Sequence, residues 1–279
     1  MTVRPGIDSP MLELCITAKP YFSSLYPEFE SGGEMSLNQI LDIAEAAAEA
    51  GFGRILLTGT EPLHHPEILD ICYSVGRIRE FLEFGVSTLG APLRSMAPTL
   101  KGAGVNLLEI RLDTLQKVKY EFLAGGRLDD VRRGISAAER TGFLIRMVTR
   151  LIAGANDDEI YDFCDLVKRH CFEQWFVELP SGSENHMDSG CVFAARPRLE
   201  ELDIRDGARR FRSGKDAGMI CLASYEGLNR IRITSGGVLN SRRKKIALAG
   251  LSHSQLAMEL RRALEPDKHI SFGFEVIEE

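Results

Sequence analysis

The sequence predicts an α/β fold, a partial parallel (β/α)6 TIM-like barrel with a C-terminal extension. Three observations carry the prediction. Short β-rich runs alternate with helical patterns as far as about residue 180. Capping residues and glycines punctuate the helical stretches. The length, 279 residues, suits one large α/β domain able to bury a core without staples.

In chain order, the strands are expected at 12–17, 54–58, 82–88, 107–113, 144–151 and 174–179. Ser36-Leu37-Asn38-Gln39 is a capping box that opens the first helix, and Gly51 stops it. Pro66 suits the first position of the second helix, with Glu67 near its positive end. Asp129 and Asp130 open a helix that ends before Gly142, and Asn156 to Glu159 open another that ends near His170. Six successive βα units imply parallel strands joined by right-handed crossovers. From 180 to 227 the pattern loosens, interrupted by Gly182, Gly190, Pro197, Gly207 and Gly214. Residues 228–234, the turn Ser235-Gly236-Gly237 and 238–240 then read as a β-hairpin. A last helix over 252–264 carries Leu256, Leu260 and Leu264 at helical spacing. The barrel is assigned to 1–180 and the extension covering it to 181–279.

Composition narrows the function. Apolar residues make up 44% and charged residues 27%, with a net charge of −6. That balance disfavours a broad nucleic-acid or anionic-membrane surface. No apolar run is long enough to span a bilayer and no signal core opens the chain, so a cytoplasmic protein is expected. Six cysteines form no C-x-x-C pair and read as buried thiols rather than a disulfide framework. No metal site is expected, because His64 and His65 are adjacent and no H-x-x-x-H spacing occurs. His186 and Cys191 share a loop that could cover a cavity, but no third group is placed to orient them. The basic runs Arg209-Arg210-Phe211-Arg212 and Arg242-Arg243-Lys244-Lys245 read as solvated surface or as a partner-docking strip.

Strand alternation indicates which side chains share the barrel lumen. Glu13, Cys15 and Thr17 fall on one face of the first strand, and Glu109, Arg111 and Asp113 on one face of the fourth. Arg146, Val148 and Arg150 share a face of the fifth, as do Arg230, Arg232 and Thr234 of the late strand. Helix-covered faces are apolar, so the charged parity points inward. Such a lumen suits a ligand cavity working at the C-terminal rim. Arg230 and Arg232 offer planar donor forks to phosphate or carboxylate. The alternative is internal pairing with Glu13, Glu109 or Glu178. Glu61 at the rim, with Lys19 and Asp113, forms the candidate catalytic set, against a reading of Glu61 and Asp113 as turn and cap residues.

Several segments, in order, resemble the radical SAM family, most closely the GTP 3′,8-cyclases of molybdenum-cofactor synthesis. They are Thr58-Gly59-Thr60-Glu61-Pro62, Leu112-Asp113-Thr114-Leu115, Gly154-Ala155-Asn156-Asp157-Asp158-Glu159-Ile160, Val177-Glu178-Leu179-Pro180 and Asn229-Arg230-Ile231-Arg232-Ile233-Thr234. The resemblance implies the radical SAM core fold over roughly 12–270, a SAM-binding turn at Thr58-Gly59, and nucleotide-binding roles for Arg230 and Arg232. It also has departures. Where the family carries three cluster cysteines the sequence has Pro20, Ser24 and Pro27, and Leu228 stands at a second-cluster position. Thr60 replaces a glycine, Arg111 a small hydroxyl, Glu13 an arginine and Trp175 a basic residue.

The resulting expectation is a degenerate homologue without iron–sulfur clusters, with no cofactor and weakened SAM binding. It binds a small anionic or nucleotide-like molecule through Thr17, Thr58, Gly59, Ser87, Arg111, Arg146, Arg150, Glu178, Arg230 and Arg232. The alternative is a non-catalytic accessory subunit whose partner is a cluster-bearing homologue or another protein.

Overall fold

The computed structural model describes residues 10–18, 33–170, 172–180, 182–195, 199–212, 218–224, 227–241 and 245–265. Six strands, β1 (Met11–Thr17), β2 (Arg54–Gly59), β3 (Glu83–Thr88), β4 (Leu107–Arg111), β5 (Leu144–Leu151) and β6 (Glu173–Glu178), lie side by side in sequence order. Each pairs in parallel with the next. The helices between them are α1 (Leu37–Ala50), α2 (Ile68–Val75), α3 (Leu93–Gly102), α4 (Lys117–Ala124), α5 (Leu128–Thr141) and α6 (Ile160–Arg169).

The punctuation acts as the sequence predicts for α1 and α5. Ser36 and Gln39 close a reciprocal capping box, and Gly51 ends α1 in the left-handed region. Asp129 and Asp130 occupy the first turn of α5, where the helix dipole favours them, and Gly142 ends it. The start of α2 differs. Glu61 first caps a 3-10 turn at Pro62–His64, accepting from the Leu63 amide, so the helix begins at Ile68 rather than Pro66.

The larger correction concerns 180–227. This stretch holds a short helix, α7 (Gly190–Ala195), and three strands, β7 (Glu200–Arg205), β8 (Ala208–Arg212) and β9 (Met219–Ser224). Strand β9 pairs in parallel with β6, and β8 and β7 follow antiparallel at that edge. At the other edge β10 (Arg230–Ile233) pairs in parallel with β1. The expected hairpin continues it through β11 (Val238–Asn240) and β12 (Lys245–Ala247), before α8 (His253–Leu264). One twelve-stranded sheet results, and its parallel portion runs from β10 through β1–β6 to β9. The described sheet therefore draws strands from both sides of residue 180.

The sheet curls until its edges meet. Asp206 and Gly207 form the two-residue β7–β8 turn with φ of 56° and 77°, the left-handed pair that a tight hairpin requires. The Asp206 carbonyl accepts from the Asn229 amide at 3.0 Å, just before β10. A Cβ on Gly207 would lie 1.8 Å from the Gly227 carbonyl, so only glycine permits this approach. The turn at one edge thus docks on the chain entering the opposite edge.

The outward parity forms the main core. Leu12, Leu14, Ile16, Ile55, Leu57, Val86, Leu108, Ile110, Ile145 and Met147 are buried together with the inner faces of the helices. Each fully buried side chain of this size contributes about 1.5–3 kcal/mol. With the apolar parity committed outward, a one-residue register slip would expose it, which leaves the charged parity to the lumen. Among the described residues, no helix is long and apolar enough to cross a membrane.

Candidate functional site

The inward side chains fall into layers along the barrel axis. At the N-terminal end, buried Arg54 donates from Nη2 to Glu83 at 2.8 Å and pairs with both carboxylate oxygens of Asp206. Burial alone would raise the Asp206 carboxyl, but the Arg54 guanidinium outweighs it and holds the group below the usual range. Beside this pair, Arg146 donates from Nε to Glu173 at 3.2 Å and lies over the Trp175 ring at 4.5 Å. Met11, Leu56 and Leu107 form a small separate apolar cluster on the inward parity.

A second charged layer surrounds a cavity of ≈ 60 Å³. Arg230 grips Glu109, with Nη2 to Oε2 at 2.5 Å and Nη1 to Oε1 at 3.3 Å, and reaches Glu13 at 3.5 Å. Arg232 donates to Glu13 Oε1 from Nη2 at 2.9 Å and from Nε at 3.1 Å. Arg150 holds Asp113 through Nη2 at 2.6 Å and Nε at 3.1 Å, and its backbone amide donates to the same carboxylate. Arg111 donates from Nη2 to the Thr60 carbonyl at 2.6 Å, tying β4 to the turn after β2. Burial pushes the Glu13 carboxyl up, yet Arg232 and Arg230 beside it bring it below its ordinary value. Burial likewise works against the Arg230 cation, but Glu109 and Glu13 raise its pKa above the ordinary arginine value. Glu13 and Arg230 thus favour each other's charged forms. Val148, Trp175, Val177 and Leu228 supply an apolar wall.

Of the residues singled out by sequence, Thr58, Ser87, Arg111, Asp113, Arg150, Arg230 and Arg232 line this cavity together. Thr17 and Gly59 are the last residues of β1 and β2 and are not among its lining residues. Gly59 has φ of 141° and a Cβ there would sit 2.2 Å from the Thr17 carbonyl, which also accepts from the Thr60 amide at 3.1 Å. Arg146 lies in the N-terminal layer instead, held by Glu173. Glu178 turns to the loop before α7 and accepts from the Ser189 amide at 2.7 Å.

The expected catalytic set is not gathered in one cavity. Glu61 accepts from the Leu63 amide at 3.1 Å, the Leu89 amide at 2.8 Å and the Thr88 hydroxyl at 2.9 Å. It pins the β2 and β3 rims to each other and does not line the cavity, whereas Asp113 does. Lys19 lies outside the described residues, as do Pro20, Ser24, Pro27 and Arg242 to Lys244.

Sequence reasoning left Glu13 and Glu109 as mere alternatives, although their strand parity marked them as lumen residues. It missed Arg54 and Asp206 altogether. The Asn-Asp-Asp-Glu segment also gains a physical role. Asn156 donates to the Asp113 and Arg150 carbonyls at 2.8 and 2.7 Å, and buried Glu159 accepts from the Thr114 hydroxyl at 2.7 Å. The segment clamps the loop after β4, which carries Asp113, to the end of β5, which carries Arg150.

Comparison with known proteins agrees with this architecture. Residues 15–167 match the model of the radical SAM superfamily. A GTP 3′,8-cyclase of Peptoclostridium acidaminophilum is 34% identical over 247 residues, covering 82% of this chain and 74% of the relative. Human molybdenum cofactor biosynthesis protein 1 is 28% identical, over 81% of this chain and 38% of its own length. The crystal structure of Streptococcus suis SuiB bound to S-adenosylmethionine superposes with a TM-score of 0.57 at 11% identity. That match covers 86% of this chain and 63% of the SuiB chain, and the likeness is one of fold.

These findings overturn the expectation of a chain without cofactors. The family match spans the very positions on which that expectation rested, and S-adenosylmethionine and an iron–sulfur cluster are the cofactors that the family implies. Among the described residues, no group of three or more His, Cys, Asp or Glu side chains could hold a metal ion. Motif order, curled sheet and similarity over most of the chain converge: the chain belongs to the radical SAM superfamily, as a homologue of the GTP 3′,8-cyclases.

Proposed function

We propose that this radical SAM homologue binds a small anion, or the anionic end of a nucleotide-like molecule, in the barrel lumen. One observation carries the reading. Four guanidiniums (Arg111, Arg150, Arg230 and Arg232) line one cavity among the described residues, together with the carboxylates of Glu13, Glu109 and Asp113. Guanidinium forks suit carboxylate or phosphate oxygens. Arg232, at 23% side-chain exposure against 14% for Arg230, is the more accessible of the pair. The cavity of ≈ 60 Å³ admits several waters, about one for each 10–15 Å³, which is room for a small anionic group.

A thermal-shift series with inorganic phosphate, GMP and GTP tests the reading. Ligand at about 100-fold over its Kd stabilises by about 2.7 kcal/mol, a rise of several degrees. At least one of these anions should raise Tm, and Arg232→Met should abolish the rise. No rise with any of them, or the same rise in Arg232→Met, would refute it.

A further inference from the structure

We propose that the lumen's ligand is a short aliphatic carboxylate whose hydrocarbon end lies on the apolar wall of Val148, Trp175, Val177 and Leu228. This rests on the anion-binding reading above and deepens it by naming the ligand class. The cavity lining is chemically divided, with that wall beside the guanidiniums of Arg111, Arg150, Arg230 and Arg232. The wall belongs to an apolar cluster separate from the main core. Trp175, Ala208, Cys221 and Ala223 are buried together there, with Val148 and Leu228 packed against them. Strand register holds the cluster, since Val148 pairs with Trp175 and Trp175 with Cys221 across β5, β6 and β9. The Trp175 ring is itself pinned. Its Nε1 donates to Glu173 at 3.0 Å, and Arg146 covers its face from the N-terminal layer. A ligand thus meets a preformed apolar surface.

An inorganic oxyanion is polar on every side and leaves oxygen against that wall, where it has no hydrogen-bond partner. A carboxylate keeps both oxygens at one end, in the plane that a guanidinium fork fits, and offers alkyl surface at the other. Each methylene moved from water onto the wall strengthens binding about fourfold. The ≈ 60 Å³ cavity admits about four to six water-sized groups, at about one for each 10–15 Å³. Acetate, propionate and butyrate fall in that range, and hexanoate exceeds it. The wall discriminates by hydrocarbon contact, whatever bonds the guanidiniums already make to Glu13, Glu109 and Asp113.

Titration calorimetry with acetate, propionate, butyrate, hexanoate and inorganic phosphate, near neutral pH and at constant ionic strength, tests the assignment. On the wild-type chain, affinity should rise about fifteenfold from acetate to butyrate and rise no further at hexanoate. Val148→Thr keeps the branched shape on β5 and sets a hydroxyl in the wall. It should lower the butyrate-to-acetate ratio at least about threefold. A wild-type ratio below about twofold, with acetate or phosphate still bound, overturns the carboxylate assignment and leaves the anion reading intact. A ratio undiminished in Val148→Thr, or a rise that continues through hexanoate, puts the hydrocarbon contact outside this cavity and overturns the assignment as well. The hexanoate cut-off applies this test to the wild-type chain should the variant fail to fold. Absence of binding of every anion overturns the lumen reading itself.

Discussion

Replacing Arg230 with methionine keeps a long side chain in the lumen and removes the guanidinium shared by Glu109 and Glu13. Those carboxylates are 5% and 3% exposed, so the substitution strips buried Glu109 of the guanidinium that grips it and weakens the pairing of Glu13. Breaking a buried pair from one side costs about 3–5 kcal/mol, a large part of a typical stability of about 5–15 kcal/mol. Urea unfolding should show a correspondingly lower midpoint with the slope unchanged. Adding Glu109→Gln to Arg230→Met removes one stranded charge, so the double variant should recover at least about 1 kcal/mol relative to Arg230→Met alone. A loss below about 1 kcal/mol for Arg230→Met, the size seen for exposed ion pairs, would mean that water already solvates the lumen charges. The Arg230 pairs would then behave as exposed ones.

Three further outcomes follow from the same geometry. Gly59→Ala should cost about 3 kcal/mol or more in thermal or urea unfolding, since a φ of 141° and a 2.2 Å approach to the Thr17 carbonyl leave no room for Cβ; a change within 0.5 kcal/mol would contradict the close approach of β1 and β2. Glu61→Ala should lose roughly 2–4 kcal/mol because the Leu63 and Leu89 amides lose their acceptor in a buried setting; an unchanged midpoint would show that water replaces the carboxylate. The Glu13 carboxyl is held below its unfolded value of about 4.3 by Arg232 and Arg230. Its contribution is therefore present above that pH and lost as pH falls through the lower folded value. Glu13→Gln should flatten the acid limb of the Tm–pH curve, and an identical acid limb would remove Glu13 from the account.

Local signals made the barrel legible and long-range ones did not. Ser36, Gln39 and Gly51 mark α1 because capping chemistry is written within a few residues. The alternation in β1, β4, β5 and β10 marked the lumen parity for the same reason. The partner of each charge was not legible, since Glu13 meets Arg230 and Arg232 only through the β1–β10 register, more than two hundred residues apart in sequence. Arg146 has the right parity but sits one layer lower, beside the Asp206 turn that the sequence reading passed over. That turn had a signal. Asp206-Gly207 is a strong two-residue hairpin dipeptide, and treating Gly207 only as an interruption hid β7 and β8. Glu61 reads equally as an acid–base group or a cap in sequence, and only its three donors decide where its oxygens are used.

The most direct test of the central claim is an anomalous difference map from crystals soaked in bromide, a singly charged anion that scatters strongly. A bromide peak in the lumen, within contact of the Arg232 and Arg230 guanidiniums and missing from Arg232→Met crystals, is the predicted result. Bromide found only on the outer surface, with the lumen featureless, would contradict it.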